Sequence, residues 1–367
     1  MFLISVANDN DGLVWNEFVS SVADSDVELC SHWALWQWRS VISNAFKHKP
    51  YYLIARTDKA KDSGNNIVGV MPIFYVKSFL FGSALISVPY LNGGGAIAKN
   101  PQVLLELIDY VKKLGKELNT NYVELRFRKS LSECLQSDEL LSESLLVERS
   151  HKVAMMLKLP SNPQELFDSF PAKLRSQIRR PTKSGVFTEI SSGYSSKEVN
   201  SFYEVFAHNM RDLGTPVYPK KLFIETTKQF GSNCKIIISR INTKPIACGI
   251  TIGSGCHTEI IWASTLRSHN NLSPNMVMYW EALKDACENN YQFFDFGRSS
   301  PDSGTFKFKK QWGAVPVPLY WYYDINKGEM PDVNPKSSKY AFMVNAWRKL
   351  PLPFTKLLGT WITRSLP

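Results

Sequence analysis

Two patterns of hydrophobic and polar positions alternate along the chain. Short runs rich in β-branched and aromatic residues, bounded by glycine, proline and asparagine, predict strands. Longer stretches with apolar residues three or four positions apart predict amphipathic helices. The predicted strands are residues 2–7, Tyr51–Arg56, Ile67–Phe74, Leu80–Pro89, Tyr122–Phe127, Cys234–Ile241, Pro245–Ile252 and His257–Ala263, with one more from Tyr291. The first predicted helix begins after Asp11. Further helices are predicted at about 31–46, 101–118, 163–180 and Ser201–Leu213, and one more begins at the capping residue Ser273.

The order hairpin, strand, helix, strand occurs twice. In both copies a helix ends near an Asn-Tyr pair and a strand ending in phenylalanine follows, at 119–127 and at 288–296. This repetition predicts an α/β (α+β) fold made of two copies of one unit with mixed central sheets. The predicted domains are 1–150 and 151–326, followed by a linker and a basic amphipathic tail at 327–367.

The stretch 291–312 carries the most unusual pattern. Phenylalanines at 293, 294 and 296 predict a strand, and the turn-forming run Gly297–Gly304 interrupts it. Beyond the turn, phenylalanines at 306 and 308 alternate with lysines at 307 and 309, which predicts a second strand. The result is a polar elbow suited to an anionic or carbonyl-bearing ligand. A plain connecting loop with solvated charges is the alternative interpretation.

Composition bounds the class of protein. Of the 367 residues 44% are hydrophobic and 13% aromatic, enough for buried cores, which argues against disorder. The net charge of +10 favours an anionic partner, namely nucleic acid, a nucleotide-linked substrate or a phospholipid surface. Six scattered cysteines without C-x-x-C spacing argue for reduced thiols. No signal peptide and no run of ~18 apolar residues is evident, so a cytoplasmic location is predicted.

The stretch that begins at Phe294 resembles the C-terminal signature of the FemAB family, bacterial transferases of the GNAT superfamily. That signature is a strand ending F-D-F-G, a variable loop, and then G-x-[YF]-[RK]-F-K-x-x-[FW]-G. Here it reads FDFG at 294–297 and GTFKFKKQWG at 304–313. Longer phrases, at 80–95, 173–185, 209–219 and 272–283, are similar to the branch associated with exosortase/PEP-CTERM and exopolysaccharide loci. The resemblance covers roughly residues 10–325.

This resemblance implies two tandem GNAT-like domains and an acyl or aminoacyl N-transferase. The acceptor would be an amine on a cell-envelope or exopolysaccharide precursor. The donor would be a co-substrate, either aminoacyl-tRNA, acyl-CoA or an acyl carrier, with no permanently bound cofactor. The chain lacks the long helical arm of many tRNA-dependent members, and the acyl-CoA loop R/Q-x-x-G-x-G/A is not evident. The donor therefore stays open.

The same resemblance assigns a catalytic role to one lysine, and the residue pattern supplies further candidates. Lys309, next to Phe308, matches the lysine of the F-K motif, where an ammonium would stabilise developing negative charge. His208 is the candidate for a proton relay. Residues predicted to bind substrate are Arg298, Ser299, Asp302, Lys307, Arg211, Asp212, Tyr218, Trp262 and Asn275. For Arg211 and Asp212, a surface ion pair is the alternative.

Two further segments carry binding hypotheses. Arg175, Arg179 and Arg180 lie on a strongly basic helix end that would bind phosphate, of a nucleotide, a lipid or tRNA. A solvated helix end is the alternative. The glycines of 92–95 would either cradle an oxyanion or form a tight turn.

The sequence lacks the motifs of metal-dependent enzymes and of serine hydrolases. No H-E-x-x-H, no His/Cys cluster and no G-x-S-x-G occurs, so neither a metal site nor a serine hydrolase is predicted. The tail 335–367 mixes Trp, Phe and Leu with Lys and Arg, which predicts either contact with an anionic membrane surface or packing on the body. A non-catalytic scaffold that binds envelope intermediates at the membrane, and a nucleic-acid-binding protein, are the alternative functions.

Overall fold

A computed structural model of the chain describes residues 2–23, 32–57, 66–78, 82–136, 146–328 and 338–365. Several predictions fall outside these ranges. They concern Cys30, most of the polar turn at 58–66, the middle of the connection at 130–149, and most of the linker at 327–339.

The described residues of the first half form eight strands. They are β1 (Phe2–Val6), β2 (Lys49–Pro50), β3 (Leu53–Thr57), β4 (Ile67–Met71), β5 (Ile73–Ser78), β6 (Gly82–Ser87), β7 (Ile97–Ala98) and β8 (Tyr122–Phe127). The helices described there are α1 (Gly12–Ala23), α2 (Gln37–Phe46), α3 (Pro101–Glu117) and α4 (Leu131–Leu135). The predicted elements correspond to β1, β3, β4, β6, β8, α1, α2 and α3. The run predicted as one strand at 67–74 is divided into β4 and β5, which belong to different sheets, and β2, β7 and α4 were not predicted.

The second half follows the same plan. Its strands are β9 (Val147–Lys158), β10 (Val186–Ser192), β11 (Cys234–Ile241), β12 (Lys244–Ser254), β13 (His257–Thr265), β14 (Phe293–Ser299) and β15 (Val315–Ile325). Its helices are α5 (Pro163–Ser169), α6 (Ala172–Lys183), α7 (Ser196–Leu213), α8 (Lys220–Phe230), α9 (Pro274–Glu288) and α10 (Gly304–Lys310). The tail adds α11 (Ser338–Lys349) and α12 (Leu352–Arg364).

The strands form two sheets. The smaller has the order β1-β3-β4-β7, and the larger has the order β10-β11-β12-β13-β14-β9-β15-β8-β6-β5-β2. Most neighbours are antiparallel, but β6 is parallel to β8 and β13 is parallel to β14. Each parallel pair is joined by a crossover helix, α3 in one half and α9 in the other.

These two strand–helix–strand crossovers are the repeat seen in the sequence, so the predicted mixed α/β fold with two similar units is confirmed. The long strands β9 and β15 lie side by side at the centre of the large sheet and join the two halves. β15, from the second half, pairs with β8, and β9 pairs with β14. The proposed domain division at residue 150 falls within β9, and it stays a proposal.

Tryptophans of the first half are core residues, as their density predicts. Trp15 and Trp38 are fully buried and Trp33 nearly so. The indole of Trp15 donates a 2.7 Å hydrogen bond to the carbonyl of Ala34. This pairing removes the penalty of burying an indole N–H.

Three local predictions are wrong. Residues 304–310 form helix α10, where alternation predicted a strand. The helix predicted at 163–180 is broken into α5 and α6, because Pro171 requires the preceding Phe170 to be extended. Ser273 precedes α9 in a left-handed conformation with φ of 52°, and its side chain makes no capping hydrogen bond.

The tail packs against the body. In α12 the residues Thr355, Gly359 and Thr363 are buried, and contacts join both tail helices to α7. Among the described residues, no helix is long and apolar enough to cross a membrane.

Candidate functional site

The strands β13 and β14 separate part of the way along their length. Within these two fully described strands, parallel pairing runs from His257–Phe293 to Glu259–Asp295 and then ends. Beyond that point β13 continues to Thr265 beside α9, whereas β14 continues beside β9. The carboxyl ends of parallel strands are a common ligand site in α/β folds, because the diverging backbones leave an opening.

A bulge in β14 lies at the point of separation. Asp295 pairs with Met156 and Arg298 with Ala154, so Phe296 and Gly297 together oppose Met155. The φ angle of Gly297 is 76°, a left-handed conformation that glycine adopts without a Cβ penalty. The bulge turns two successive carbonyl groups toward α10.

Helix α10 presents Lys309 to those carbonyl groups. The helix is capped by Ser303, whose hydroxyl accepts a 3.2 Å hydrogen bond from the N–H of Phe306. The Nζ of Lys309 donates 2.9 Å hydrogen bonds to the carbonyl oxygens of Gly297 and Arg298. Because an ammonium carries three N–H donors, one donor remains for a further acceptor.

The charge of Lys309 is set by its surroundings. Burial lowers the pKa of Lys309 to about 8, while Asp295 and Glu259 act in the opposite direction. The residue is only 7% exposed. At pH 7 the side chain is therefore mostly protonated. Because this cation is buried, its electrostatic interactions are screened less than those of a surface lysine.

Two buried carboxylates stand beside this lysine, each held by its own partners. Asp295 accepts 2.7 Å hydrogen bonds from the Nη2 of Arg128 and from the N–H of Gly297. Glu259 Oε2 lies 3.0 Å from Nε2 of His32 and 2.6 Å from the indole nitrogen of Trp33. The separation point is thus surrounded by fixed charges from both halves of the chain.

The two carboxyl groups respond differently to burial. Burial, and next the charge of Glu259, raises the pKa of Asp295 against the opposing effect of Arg128. Burial also acts to raise the pKa of Glu259, but the hydrogen bond and charge of His32 outweigh it and lower that pKa. Glu259 is therefore the firmly ionised member of the pair.

A cavity of about 280 Å³ lies between β13, α9, α10 and the end of α7. Its wall is largely polar, with Tyr279 and Phe308 as the aromatic members; the other lining residues are Asn209, Ala263, Ser264, Thr265, Arg267, Asn270, Asn275 and Met278. The first turn of α9 opens onto it, and helix N-termini favour anions. The cavity can hold a polar, anionic group next to α10.

A second feature, in which two arginines flank one aromatic ring, lies where the halves meet. The guanidinium carbons of Arg126 and Arg298 lie 4.4 and 5.1 Å from the ring centroid of Trp321. The Trp321 indole donates a 3.3 Å hydrogen bond to the carbonyl of Asn92, which fixes its position. We call the surroundings of these three side chains the arginine recess.

Arg298 is the cation of this recess that lacks a carboxylate partner. Glu124 is bound by Arg126 through Nε at 2.6 Å, and Asp295 and Glu259 have the partners given above. Among the described residues no salt bridge to Arg298 is found. A solvent-accessible guanidinium without a carboxylate partner is suited to bind a carboxylate or a phosphate.

The environment of Arg298 supports that interpretation. Its side chain is accessible to solvent, yet loss of solvation lowers the pKa of Arg298, with Arg126 the next cause. Solvent therefore reaches Arg298, while protein atoms surround part of its side chain. Tyr218 lies within electrostatic range of both arginines, and burial raises the pKa of its hydroxyl.

Some predicted site residues meet at these two features. Phe308 and Asn275 line the cavity, Lys309 lies at the strand separation, and Arg298 and Tyr218 belong to the arginine recess. Ser299 lies one residue beyond Arg298, with a buried hydroxyl that has no hydrogen-bond partner among the described residues. Their catalytic and binding roles remain predictions.

Other predicted residues lie elsewhere. Asp302 and Lys307 are exposed at the start and outer side of α10. Trp262 is buried in the core, where its ring centroid is 5.0 Å from that of Phe223. These placements do not bring the three side chains to Lys309.

The end of α7 is a structural cluster. The charged groups that act on His208 are Arg211, Asp212, Glu204 and Lys356, and burial is the first cause that lowers the pKa of His208. Arg211 and Asp212 form a 2.8 Å ion pair with each other. None of these groups is among those that act on Lys309, so the proton-relay role of His208 finds no support in its placement.

The three basic residues of α6 point to different partners. Arg175 lies 3.6 Å from Asp168, and Arg179 lies over the ring of Phe167 beside a groove of about 400 Å³. Arg180 donates a 3.1 Å hydrogen bond to the carbonyl of Asn271. Arg180 alone therefore contacts the loop that leads to the cavity and α9.

The glycines of 93–95 serve close packing. A Cβ on Gly93 would lie 1.6 Å from the ring of Trp33, and one on Gly95 would lie 2.5 Å from the ring of Phe127. Asn92, just before them, donates a 3.3 Å hydrogen bond to Glu259. The loop thus positions Trp33 and Asn92 around the buried carboxylate.

Sequence reasoning missed Arg126, Arg128, Glu259, His32 and Trp321. A signal was present for Arg126 and Glu259, because charged residues inside otherwise apolar strands are rarely buried without a specific partner. Arg128 follows the end of β8 and gave no such signal. His32 and Trp321 gave no local signal. Within the described part of the chain, no group of three His, Cys, Asp or Glu residues is arranged to hold a metal ion.

Comparisons with known proteins fit this geometry. Residues 169–310 match the acetyltransferase (GNAT) domain family. The UDP-N-acetylmuramoylpentapeptide-lysine N(6)-alanyltransferase of Weissella viridescens is 24% identical over 249 residues, 62% of this chain and 73% of that protein. FemX is similar in structure, with a TM-score of 0.66 and 13% identity over 88% of this chain and 97% of that one. A tandem GNAT protein from the clavulanic acid biosynthesis pathway gives 0.55 with 11% identity, over 90% and 99%.

The structural similarities show the fold, and the family match together with the Weissella relative confirms the predicted resemblance. The chain resembles the FemAB-like proteins of the GNAT superfamily: it has two GNAT-like domains, and its class is that of acyltransferases. The association with exosortase/PEP-CTERM and exopolysaccharide loci finds no support in these comparisons.

Proposed function

We propose that this protein transfers an acyl or aminoacyl group to an amine of an anionic cell-envelope precursor. The donor carbonyl lies at the separation of β13 and β14, and the acceptor enters from the arginine recess. The observation that carries the proposal is the buried ammonium of Lys309, which is held by two carbonyl groups beside the cavity and retains one free donor.

The reaction needs charge stabilisation more than proton abstraction. The acceptor nitrogen attacks the donor carbonyl carbon, and the carbonyl oxygen becomes an oxyanion. The third N–H of Lys309 donates to that oxygen, and the buried setting strengthens the interaction. The attack itself forms the C–N bond. Collapse of the intermediate restores the carbonyl and breaks the C–S or C–O bond to the donor, and the proton lost by the amine passes to the leaving group.

The donor group occupies the cavity beside α9. Its phosphates lie near the N-terminus of that helix, within reach of Arg267 and of the loop that Arg180 contacts. A thioester of an acyl carrier or acyl-CoA and the ester of an aminoacyl-tRNA present the same carbonyl to Lys309. The Weissella relative is named as an alanyltransferase, which supports the aminoacyl-tRNA donor.

The acceptor carries a negative charge. Arg298 has no carboxylate partner and shares the recess with Arg126 and Tyr218. That arrangement suits the diphosphate of a nucleotide-linked peptide, and the Weissella relative is named for such an acceptor and its lysine. An exopolysaccharide intermediate with a phosphate and a free amine would bind by the same chemistry. The reaction would take place in the cytoplasm, where such precursors are made.

A matrix of donors and acceptors tests the proposal. Purified protein is incubated with alanyl-tRNA, acetyl-CoA or an acyl carrier protein thioester, each with UDP-N-acetylmuramoyl-pentapeptide and with an amino sugar phosphate. Mass spectrometry of the acceptor is expected to show one added acyl group on an amine. Absence of acylated product from every pair, with donor hydrolysis no faster than in buffer alone, would contradict the proposal and favour the non-catalytic scaffold.

A further inference from the structure

The last helix of the chain has the reverse of the usual polarity. On the side that packs against the body, α12 buries small residues four positions apart, Thr355, Gly359 and Thr363. On the opposite side it exposes large apolar residues, Phe354, Leu357, Leu358 and Trp361. An ordinary surface helix of a globular protein buries its large apolar side chains and exposes its polar ones.

Close backbone packing holds α12 in this orientation. A Cβ on Gly359 would lie 2.7 Å from the backbone nitrogen of Val217. The hydroxyl of Thr363 donates a 3.5 Å hydrogen bond to the carbonyl of Val217, and the hydroxyl of Tyr90 donates a 3.1 Å bond to the carbonyl of Thr363. Rotation of the helix to bury its large residues would place bulk where only a glycine fits.

The exposed side chains form one stripe. Residues 354, 357, 358 and 361 follow the spacing i, i+3, i+4, i+7, and so share one face of the helix. Leu357 is 71% exposed, Trp361 64% and Phe354 59%. Met343 of α11 adds a further exposed apolar side chain, at 63%. Such patches mark interaction surfaces.

Charge identifies the partner. Residues 338–365 contain no Asp or Glu, and their basic residues are Lys339, Arg348, Lys349, Lys356 and Arg364. Lys47 and Lys49, both exposed, flank His48, which contacts Tyr90 at the end of α12. A second copy of this surface would bring like charges together across a two-fold interface. Anionic lipid headgroups complement it.

We propose that α12 docks this protein on an anionic membrane surface. The stripe of Phe354, Leu357, Leu358 and Trp361 inserts into the boundary between headgroups and acyl chains, and the basic residues contact lipid phosphates. With 13 residues, α12 is only about 20 Å long, too short for the ~30 Å hydrocarbon core, so it lies in the plane of the membrane. Docking does not require the transfer reaction.

Vesicle binding by the full chain tests this proposal. The probes are vesicles of phosphatidylcholine alone and vesicles with about one third phosphatidylglycerol. The test variant is Leu357→Ser with Trp361→Ser, and the matched control is Leu13→Ser, since Leu13 on α1 is 73% exposed. Unfolding curves establish that both variants keep the wild-type fold.

The wild type and the control are expected to bind the phosphatidylglycerol vesicles and the test variant to bind them about tenfold or more weakly. About 0.5 M salt should weaken the wild-type interaction, because the basic residues contribute to it. Absence of wild-type binding, or equal binding by the test variant, would overturn the proposal. So would a wild-type dimer in solution that the same double substitution dissociates.

Discussion

The Nζ of Lys309 donates a 2.9 Å hydrogen bond to the backbone carbonyl of Gly297. This contact joins the helix α10 to the bulge in β14, 12 positions earlier in the sequence. The left-handed conformation of Gly297 is what turns the carbonyl toward the ammonium. The F-D-F-G end of β14 and the F-K motif of α10 therefore together hold a buried positive charge in place.

Replacement of Gly297 by alanine should destabilise the bulge and its hydrogen bond to Lys309. Its φ of 76° disfavours any Cβ, at a cost of roughly 1–2 kcal/mol of unfolding free energy. The nearest atoms to such a Cβ are at 3.5 Å or more, so backbone strain, and not a clash, is the cause. Urea unfolding and the transfer rate should both decline. Gly304→Ala is the control, since no atom lies within 4 Å and its φ is not positive; equal losses in both variants would contradict the assignment.

The transfer rate should depend on the protonation of Lys309. Its pKa is lowered to about 8, so the ammonium that stabilises the oxyanion is lost as the pH rises through that value. The rate is expected to rise with pH while the acceptor amine deprotonates, and then to decline above about pH 8. Initial rates from pH 6 to about pH 10, corrected for spontaneous donor hydrolysis, provide the measurement. A rate that continues to rise through the upper part of that range would be inconsistent with this role.

Arg298→Gln should affect acceptor binding selectively. Loss of a charge-assisted contact in the recess is expected to raise the acceptor KM by about 10- to 100-fold, with kcat little changed. Folding stability should be nearly unchanged, because no salt bridge to Arg298 is found in the described part of the chain. The carbonyl that binds Lys309 is retained, since it belongs to the backbone. Arg175→Gln, which removes only a surface pair with Asp168, serves as the control. An unchanged acceptor KM would exclude Arg298 from the acceptor site.

Lowering the pH should destabilise the folded protein because His48 is buried in its neutral form. Burial, and next the charge of Arg364, lowers the pKa of His48 to about 4, from 6.5. The unfolded chain therefore binds a proton between these values that the folded chain does not, and stability is lost as the pH falls from about 6.5 to about 4. The loss is roughly 2–3 kcal/mol for this residue. His48→Gln, which can keep a hydrogen bond to Tyr90, should unfold in urea with a smaller pH dependence; an identical dependence would contradict the assignment.

The regular elements could be predicted from the sequence because their patterns are local. The two crossovers, β6–α3–β8 and β13–α9–β14, follow from strand and helix periods and from the repeated Asn-Tyr boundary. The helix α10 could not be predicted in this way. Its alternating Phe and Lys residues mimic a strand, and the residue it buries is Lys309, which no hydrophobic pattern would place inside.

The site itself depends on contacts between distant positions. Glu259 and His32 are 227 positions apart, and Arg128 and Asp295 are 167 apart. The local hydrophobic periodicity carries no information about pairs so far apart in the sequence. The resemblance to FemAB proteins pointed to Lys309, and the local pattern made Arg298 and Tyr218 candidates. The partners that hold the buried charges became evident only from the folded structure.

Single-turnover transfer by Lys309→Met tests the central claim most directly. The matched control is Lys310→Met, which removes an exposed lysine from the neighbouring position of α10. With saturating donor and acceptor, the account predicts a loss of about 100-fold or more for Lys309→Met and a rate close to wild type for Lys310→Met. Lys310→Met should unfold like the wild type within about 1 kcal/mol. Lys309→Met should remain folded but lose roughly 1–3 kcal/mol, because two carbonyl groups lose their donor. A Lys309→Met protein that is folded and transfers at the wild-type rate would contradict the account.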